Sequence, residues 1–261
     1  MVNNNDTTVR TDSVFNAIFR KSMEISENTS GAFDITVGPL VNAWGFGFTS
    51  RIKVNQHVLD SLLPLVNYKA VKLNGTRVVK GKPGIKLDYN AIAQGYSVDE
   101  IGRFIASKGI ENYLIDVGGE VLARGKKPDG SSWNVGVEKP AANAGDAREL
   151  KAVVKLEDKA LSTSGNYRKY YEENGVRYSH TIDPKTGYPV KHSMLSASVI
   201  ASDCITADAY ATAFMVMGLE RSKSFLAGHP ELLVYFIYSG SKGEMLSYSS
   251  PGFKQFIETQ Y

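Results

Sequence analysis

The chain has 261 residues, of which 43% are hydrophobic and 22% are charged, so it is long enough to bury a substantial core. Its net charge is only +3 and its basic residues are scattered, which argues against a nucleic-acid partner. The single cysteine, Cys204, excludes an internal disulfide, and no apolar stretch reaches membrane-spanning length.

Hydrophobic periodicity predicts helices separated by groups of short strands. The predicted helices cover residues 13–26, 51–66, 91–107, 204–217 and 220–227. The predicted strands cover residues 34–37, 113–117, 121–124, 133–138, 152–156, 194–201 and 232–238. The polar stretch 139–148 is predicted to be a surface loop. This order indicates an α+β fold with a largely antiparallel sheet and helices packed against it, in a single domain over residues 1–261.

Two of the helices show a clear apolar face. The first is expected to pack through Val14, Phe15, Ile18, Phe19 and Met23, with Thr11 or Asp12 as its cap. The second is expected to pack through Ile92, Val98, Ile101 and Ile105.

A glycine- and aromatic-rich segment covers residues 31–47 (GAFDITVGPLVNAWGFG). Its glycines let the backbone approach a ligand, and Phe33, Trp44 and Phe46 could line a flat aromatic molecule. A helix exit followed by a core-packing turn explains the same residues, so this segment alone leaves both interpretations open.

The segment LDYNAIAQGYSVD, residues 87–99, is predicted to pass from a strand into a helix. Small residues at Ala93 and Gly95 leave backbone groups at the helix start open to a ligand or ion. We expect Gly95→Val to crowd this approach and Gly95→Ala to be tolerated. The alternative is an ordinary joint in which Asn90 caps the helix.

The predicted strand at 113–117 leads into Gly118-Gly119, flanked by the carboxylates of Asp116 and Glu120. Such a pair can place backbone N–H groups against a phosphate. It is equally a hairpin signal, and taken alone the hairpin is favoured.

Two polar segments follow further along the chain. Ser162, Thr163, Ser164 and Gly165 offer short donors suited to diphosphate oxygens. In the segment HTIDPKTGYP, residues 180–189, Pro184, Gly187 and Asp183 are expected to form a constrained turn. His180 begins this segment and suits proton transfer, although a lone histidine is more often structural.

The last helix with a chemical signal carries Asp208 and Thr212, which lie four residues apart and so share a face. Their surroundings are alanine-rich and apolar, where an unpaired carboxylate is costly to bury. A hard cation such as Mg²⁺ would resolve that cost, whereas an acid interacting with the helix dipole is the simpler explanation.

In their order along the chain, these motifs resemble the ApbE-type FAD:protein FMN transferases. The segments that carry the resemblance are GAFDITVGPLVNAWGFG, LDYNAIAQGYSVD, YLIDVGGEV, ALSTSGNYRKYY, YSHTIDPKTGYPV and ADAYATAFMVMG. The resemblance implies a T-fold-like α+β architecture and Mg²⁺-dependent transfer of FMN from FAD to a threonine of a partner protein, with release of AMP.

By position, the resemblance implies that Asp208, Thr212 and the carbonyl of Ala93 bind the metal and that His180 activates the acceptor hydroxyl. It assigns flavin-nucleotide contacts more loosely, to Trp44, Asn90, Asp116, Gly118, Gly119, Glu120, Ser162, Thr163, Ser164 and Gly165. The implied acceptor is a protein such as a subunit of a membrane redox complex, on the periplasmic side of a bacterial inner membrane.

Two departures from the family pattern stand out. Gln94 takes the place of the lysine that many members carry in an IAKGY pattern. The chain also starts inside the pattern, without a visible signal segment, and we expect that an N-terminal part of the pattern is missing. Two other functions stay open: an FAD pyrophosphatase that uses water as acceptor, and a non-catalytic FAD-binding protein.

Overall fold

The computed structural model describes residues 2–4, 9–140, 149–166, 170–173 and 176–261. The α-helices in these ranges are α1 (Ser13–Asn28), α2 (Gly38–Ala43), α3 (Gln56–Leu62), α4 (Ala93–Ser107), α5 (Cys204–Met217) and α6 (Leu219–Leu226). None of them is long and apolar enough to cross a membrane. Most of the loop predicted at 139–148 lies outside the described residues.

The strands of the described chain are short and pair in antiparallel fashion. They are β1 (Val71–Asn74), β2 (Arg77–Lys80), β3 (Tyr113–Val117), β4 (Glu120–Arg124), β5 (Trp133–Glu138), β6 (Leu150–Leu156), β7 (Lys159–Gly165), β8 (Tyr170–Glu173), β9 (Val176–Ser179), β10 (Met194–Ala201), β11 (Leu233–Ser239), β12 (Met245–Ser249) and β13 (Ile257–Gln260).

The chain divides into two compact units. The first unit comprises Met1–Ala91 and Tyr171–Val190, and the second comprises Ile92–Tyr170 and Lys191–Tyr261. Within the first unit, α1 starts where predicted, because the Asp12 side chain accepts a hydrogen bond from Phe15 N. Its buried face is rotated from the predicted one, since Val14 is 46% exposed.

The strand predicted at 34–37 is wrong. Residues Ile35–Val37 form a 3-10 helix that continues into α2. The Asp34 carboxylate starts this turn by accepting hydrogen bonds from both the backbone N–H and the hydroxyl of Thr36. Pro39 lies in the first turn of α2, where its missing N–H costs nothing.

The second unit has three layers. A six-stranded sheet in the order β12-β11-β10-β7-β4-β3 carries α4 and α5 on one face. A three-stranded sheet, β13-β6-β5, covers the other face. A hydrophobic cluster joins the two sheets, with Leu161 and Ile200 from the larger sheet and Val137 and Val154 from the smaller. The predicted α+β class with antiparallel sheets is therefore confirmed.

The buried face of α4 differs from the predicted one. Val98 is fully buried as expected, but Ile101 is 40% exposed. The buried positions are instead Gly95, Val98, Asp99 and Gly102, at helical spacing. The glycines on this buried face let α4 approach its neighbours closely.

Candidate functional site

The Asp208 carboxylate on α5 is the chemically unusual group of the second unit. The residue is only 5% exposed, and its Oδ2 accepts a hydrogen bond of 2.9 Å from Gly95 N. Burial raises the pKa of this carboxyl to about 6, against the opposing effect of the Gly95 hydrogen bond. Among the described residues, no protein donor binds Oδ1. One oxygen of a buried carboxylate is therefore available to a ligand.

Gly118 and Gly119 form the two-residue turn between β3 and β4, so the hairpin interpretation is confirmed. Both glycines have positive φ angles, +66° and +106°, a conformation that L side chains rarely adopt. The side chain of Asp116 stabilises the turn by accepting a 2.9 Å hydrogen bond from Gly119 N. The turn thus fixes the position of Glu120, the first residue of β4.

Glu120 brings a second carboxylate close to Asp208. Burial, together with the negative charges of Asp208 and then Asp116, raises the pKa of Glu120 to about 8. Its Oε2 is buried without a hydrogen-bond partner. A buried acceptor without a donor is costly, and a bound cation would stabilise both carboxylates. The residues present therefore fit a hard cation such as Mg²⁺.

Thr212 lies one turn after Asp208 on α5, as the spacing predicts. Its Oγ1 is 3.2 Å from the hydroxyl of Ser164 on β7. Side chains alternate along a strand, so Thr163 points to the other face of the sheet while Ser162 and Ser164 both face α5. Ser162 is buried against Cys204, and Thr163 on the other face pairs with Ser198 at 2.7 Å. Of the three hydroxyls, that of Ser164 bonds Thr212, whereas that of Ser162 lies one turn or more away, against Cys204.

The start of α4 lies against Asp208 because Gly95 donates to it. Ala93 is the first residue of α4, and the N-cap residue Ile92 provides no side-chain cap. The alternative in which Asn90 caps this helix is therefore wrong; Asn90 is exposed, and its N–H donates to Asp88 Oδ1. The preceding residues are also irregular and do not form the predicted strand.

Groups of three or more His, Cys, Asp or Glu side chains that could hold a metal are absent from the described residues. The predicted site does not need such a group, because Mg²⁺ often takes one or two carboxylates and completes its shell with phosphate oxygens and water.

Gly95 allows the close approach of α4 and α5. A Cβ at this position would overlap the Cys204 carbonyl oxygen and lie 2.8 Å from Asp208 Cβ. The expectation that Gly95→Ala is tolerated is therefore wrong. We expect Gly95→Ala to lower the free energy of unfolding by about 1–3 kcal/mol, as overpacking does, measured by denaturant unfolding.

The matched control for this variant is Gly228→Ala in the same unit. A Cβ at Gly228 would have Phe225 O as its neighbour at an ordinary 3.7 Å. Equal stability losses for the two variants would show that the packing between α4 and α5 is less tight than the structure indicates.

The remaining predicted site residues belong to the first unit. Trp44 is 6% exposed, stacks on Tyr178, and donates through Nε1 to Gly187 O at 2.7 Å. His180 follows β9 and meets Phe46 edge-on at 6.3 Å between ring centroids. The predicted turn after His180 forms, since Lys185 N donates to Asp183 Oδ1 at 2.9 Å.

The 14 predicted site residues therefore fall into two groups. The second unit holds Ala93, Asp116, Gly118, Gly119, Glu120, Ser162, Thr163, Ser164, Gly165, Asp208 and Thr212, and the first holds Trp44, Asn90 and His180.

Two further residues contact this site, and the sequence did not assign them a role. Gln94 Nε2 donates to Val117 O at 2.6 Å and lies against Gly118 of the hairpin turn. Asp99 accepts hydrogen bonds from the first two N–H groups of α5. The available signal for Asp99 was its position four residues after Gly95, on the same face of a helix.

Known proteins resemble this chain over most of its length. The profile of the ApbE family matches residues 1–236. A FAD:protein FMN transferase from Vibrio cholerae is 36% identical over 92% of this chain and 71% of its own length. The FAD:protein FMN transferase from Haemophilus influenzae is 34% identical over 98% of this chain and 74% of its own length.

Solved structures agree with these sequence matches. The flavin transferase ApbE from Vibrio cholerae superposes with a TM-score of 0.83 at 34% identity, over 94% of this chain and 77% of that one. The ApbE protein from Thermotoga maritima superposes with a TM-score of 0.84 at 30% identity, over 99% of this chain and 83% of that one.

Proposed function

Since this chain belongs to the ApbE family, we propose that it transfers FMN from FAD to a threonine hydroxyl of an acceptor protein, with Mg²⁺ bound, and releases AMP. The names of its relatives support the enzyme class, a FAD:protein FMN transferase. The observation that carries the metal-dependent part is the buried Asp208 carboxylate beside the half-buried Glu120, whose Oε2 is buried without a hydrogen-bond partner.

In this proposal, Asp208, Thr212 and the backbone carbonyl of Ala93 would hold the metal. When bound, Mg²⁺ neutralises negative charge on the diphosphate and stabilises the AMP leaving group. Burial of Asp208 excludes water from its carboxylate, which strengthens electrostatic interactions at this point. The two glycines of the hairpin turn at Gly118-Gly119 are exposed, so FAD phosphate or flavin atoms could approach the backbone closely there.

The transfer itself is a substitution at phosphorus. The threonine oxygen of the acceptor forms a bond to the phosphorus of the FMN half, and the P–O bond to AMP breaks. AMP leaves with the bridging oxygen. We assign the acceptor's hydroxyl proton to His180, an imidazole suited to general-base catalysis near neutral pH. The proposal includes an acceptor such as a redox-complex subunit on the periplasmic side of the inner membrane.

Product analysis tests this function. FAD and Mg²⁺ are incubated with the chain, with and without an acceptor domain, and AMP, free FMN and protein-linked FMN are quantified. The proposal predicts equal amounts of AMP and threonine-linked FMN when the acceptor is present. Free FMN and AMP in both samples would identify a pyrophosphatase, and intact FAD in both would identify a binding protein.

Gln94 is expected to support FAD binding by holding the hairpin turn to α4. Gln94→Met keeps the side-chain length but removes the amide that donates to Val117 O. We expect the Kd for FAD, measured by calorimetry, to rise about two- to tenfold, the equivalent of one ordinary hydrogen bond. Gln56→Met on the exposed surface of α3 is the control. An unchanged Kd in Gln94→Met would remove this role.

A further inference from the structure

Helices α4 and α5 cap each other through two buried aspartates. Asp99, on α4, accepts hydrogen bonds from Cys204 N at 2.8 Å and Ile205 N at 2.9 Å, at the start of α5. Asp208, on α5, accepts from Gly95 N at 2.9 Å, at the start of α4. Both aspartates are 5% exposed.

These bonds satisfy N–H groups that a helix start leaves without partners. The first turn of α4 depends on the neighbouring helix, because its N-cap Ile92 provides no side-chain cap. In contrast, α5 already has a cap of its own, since Asp203 accepts from Thr206 N at 3.0 Å. Asp99 therefore does more than an N-cap residue does: it connects α5 to another helix.

Gly95, Asp99, Cys204 and Asp208 form a closed ring. Asp99 lies one turn after Gly95 on α4, and Asp208 lies one turn after Cys204 on α5. Each helix thus accepts hydrogen bonds from the first turn of the other. Gly95 lets the two backbones come into contact without an intervening side chain. A shift or rotation of α5 relative to α4 would break bonds at both ends of the ring.

We propose that Asp99 is a positioning residue for the cation site, holding α5 against α4 so that Asp208 and the backbone at Ala93 stay in binding geometry. This inference rests on the proposed Mg²⁺-dependent function. It differs from a role in folding alone, because it predicts a loss of cation affinity beyond the loss that a weaker helix cap causes. Outer partners of metal ligands typically change metal affinity by about 10- to 100-fold when they are removed.

The experiment compares Asp99→Ala, Asp99→Asn and the matched control Asp203→Ala, which removes the cap of the same helix without touching α4. Thermal unfolding without ligands measures stability. Calorimetric titration of Mg²⁺ in the presence of FAD measures cation affinity, independently of turnover. We expect Asp99→Ala to weaken Mg²⁺ binding by about 10- to 100-fold and Asp203→Ala to weaken it less than about threefold at a comparable loss of Tm.

Asp99→Asn keeps one acceptor oxygen for one of the two N–H groups, so its Mg²⁺ affinity is expected to lie between those of the wild type and Asp99→Ala. If Asp99→Ala does not fold, this variant decides the question. Equal Mg²⁺ affinities in the Asp99 variants and Asp203→Ala would overturn the positioning role. Absence of Mg²⁺-dependent FAD binding in the wild type would instead overturn the proposed function itself.

Discussion

Asp208→Ala is expected to slow Mg²⁺-dependent FMN transfer by at least about 10³-fold while FAD still binds in part. Asp208 is the one carboxylate of the predicted metal-binding set, and losing several kcal/mol of charge stabilisation corresponds to such a factor. The hairpin turn at Gly118-Gly119 does not depend on Asp208, since its own bond to Asp116 stabilises it. Initial rates over a series of Mg²⁺ concentrations and FAD calorimetry measure the two effects separately.

Asp208→Asn distinguishes the effect of the negative charge from the effect of the hydrogen bond that caps α4. The asparagine oxygen can still accept the Gly95 N–H bond, but the negative charge is gone. We expect a rate loss close to that of Asp208→Ala with a smaller loss of stability. A wild-type response to Mg²⁺ in Asp208→Asn would contradict the metal assignment.

His180→Ala is expected to slow flavinylation of the acceptor by about 10²–10⁴-fold, the usual contribution of a general base. FAD affinity should stay close to that of the wild type, because proton removal from the acceptor is a separate task from binding the dinucleotide. Single-turnover flavinylation and the FAD Kd, measured on the same variant, provide the test.

His57→Ala is the matched control, because His57 is an exposed histidine on α3 in the same unit. It should leave both rate and FAD affinity unchanged. If His180→Ala loses FAD affinity and thermal stability in proportion to its rate, the base assignment fails and His180 is part of the scaffold.

Elements with a strong local signal were predictable from the sequence. Helix α5 has the predicted limits, because Asp203 caps its start and Gly218 ends it with a φ of +73°. Strands β3, β5 and β10 also have the predicted limits. In these segments, local preference and tertiary packing agree.

Elements decided by polar side chains were not predictable in this way. The central strand β7 was missed because Ser162, Thr163 and Ser164 carry no apolar alternation, although β4 and β10 pair with it on both sides. The strand predicted at 34–37 failed for a related reason, since the Asp34 side chain stabilises a 3-10 turn among β-favouring residues.

The order of motifs identified the candidate site better than any single motif did. Asp208 and Thr212 follow from helical spacing, but the bond from Gly95 to Asp208 joins positions 113 residues apart. Sequence periodicity carries no information on such a contact. The same is true of Asp99, whose carboxylate lies on a face that the hydrophobic pattern assigns to apolar side chains.

Locating the cation is the most direct test of the proposed function. Crystals of the chain grown with FAD and Mn²⁺ in place of Mg²⁺ are measured for anomalous scattering from manganese. We expect a peak beside Asp208 and Thr212, next to the FAD diphosphate, and its loss in Asp208→Asn. A peak that stays in Asp208→Asn, or FAD bound with its diphosphate away from α5, would contradict this expectation.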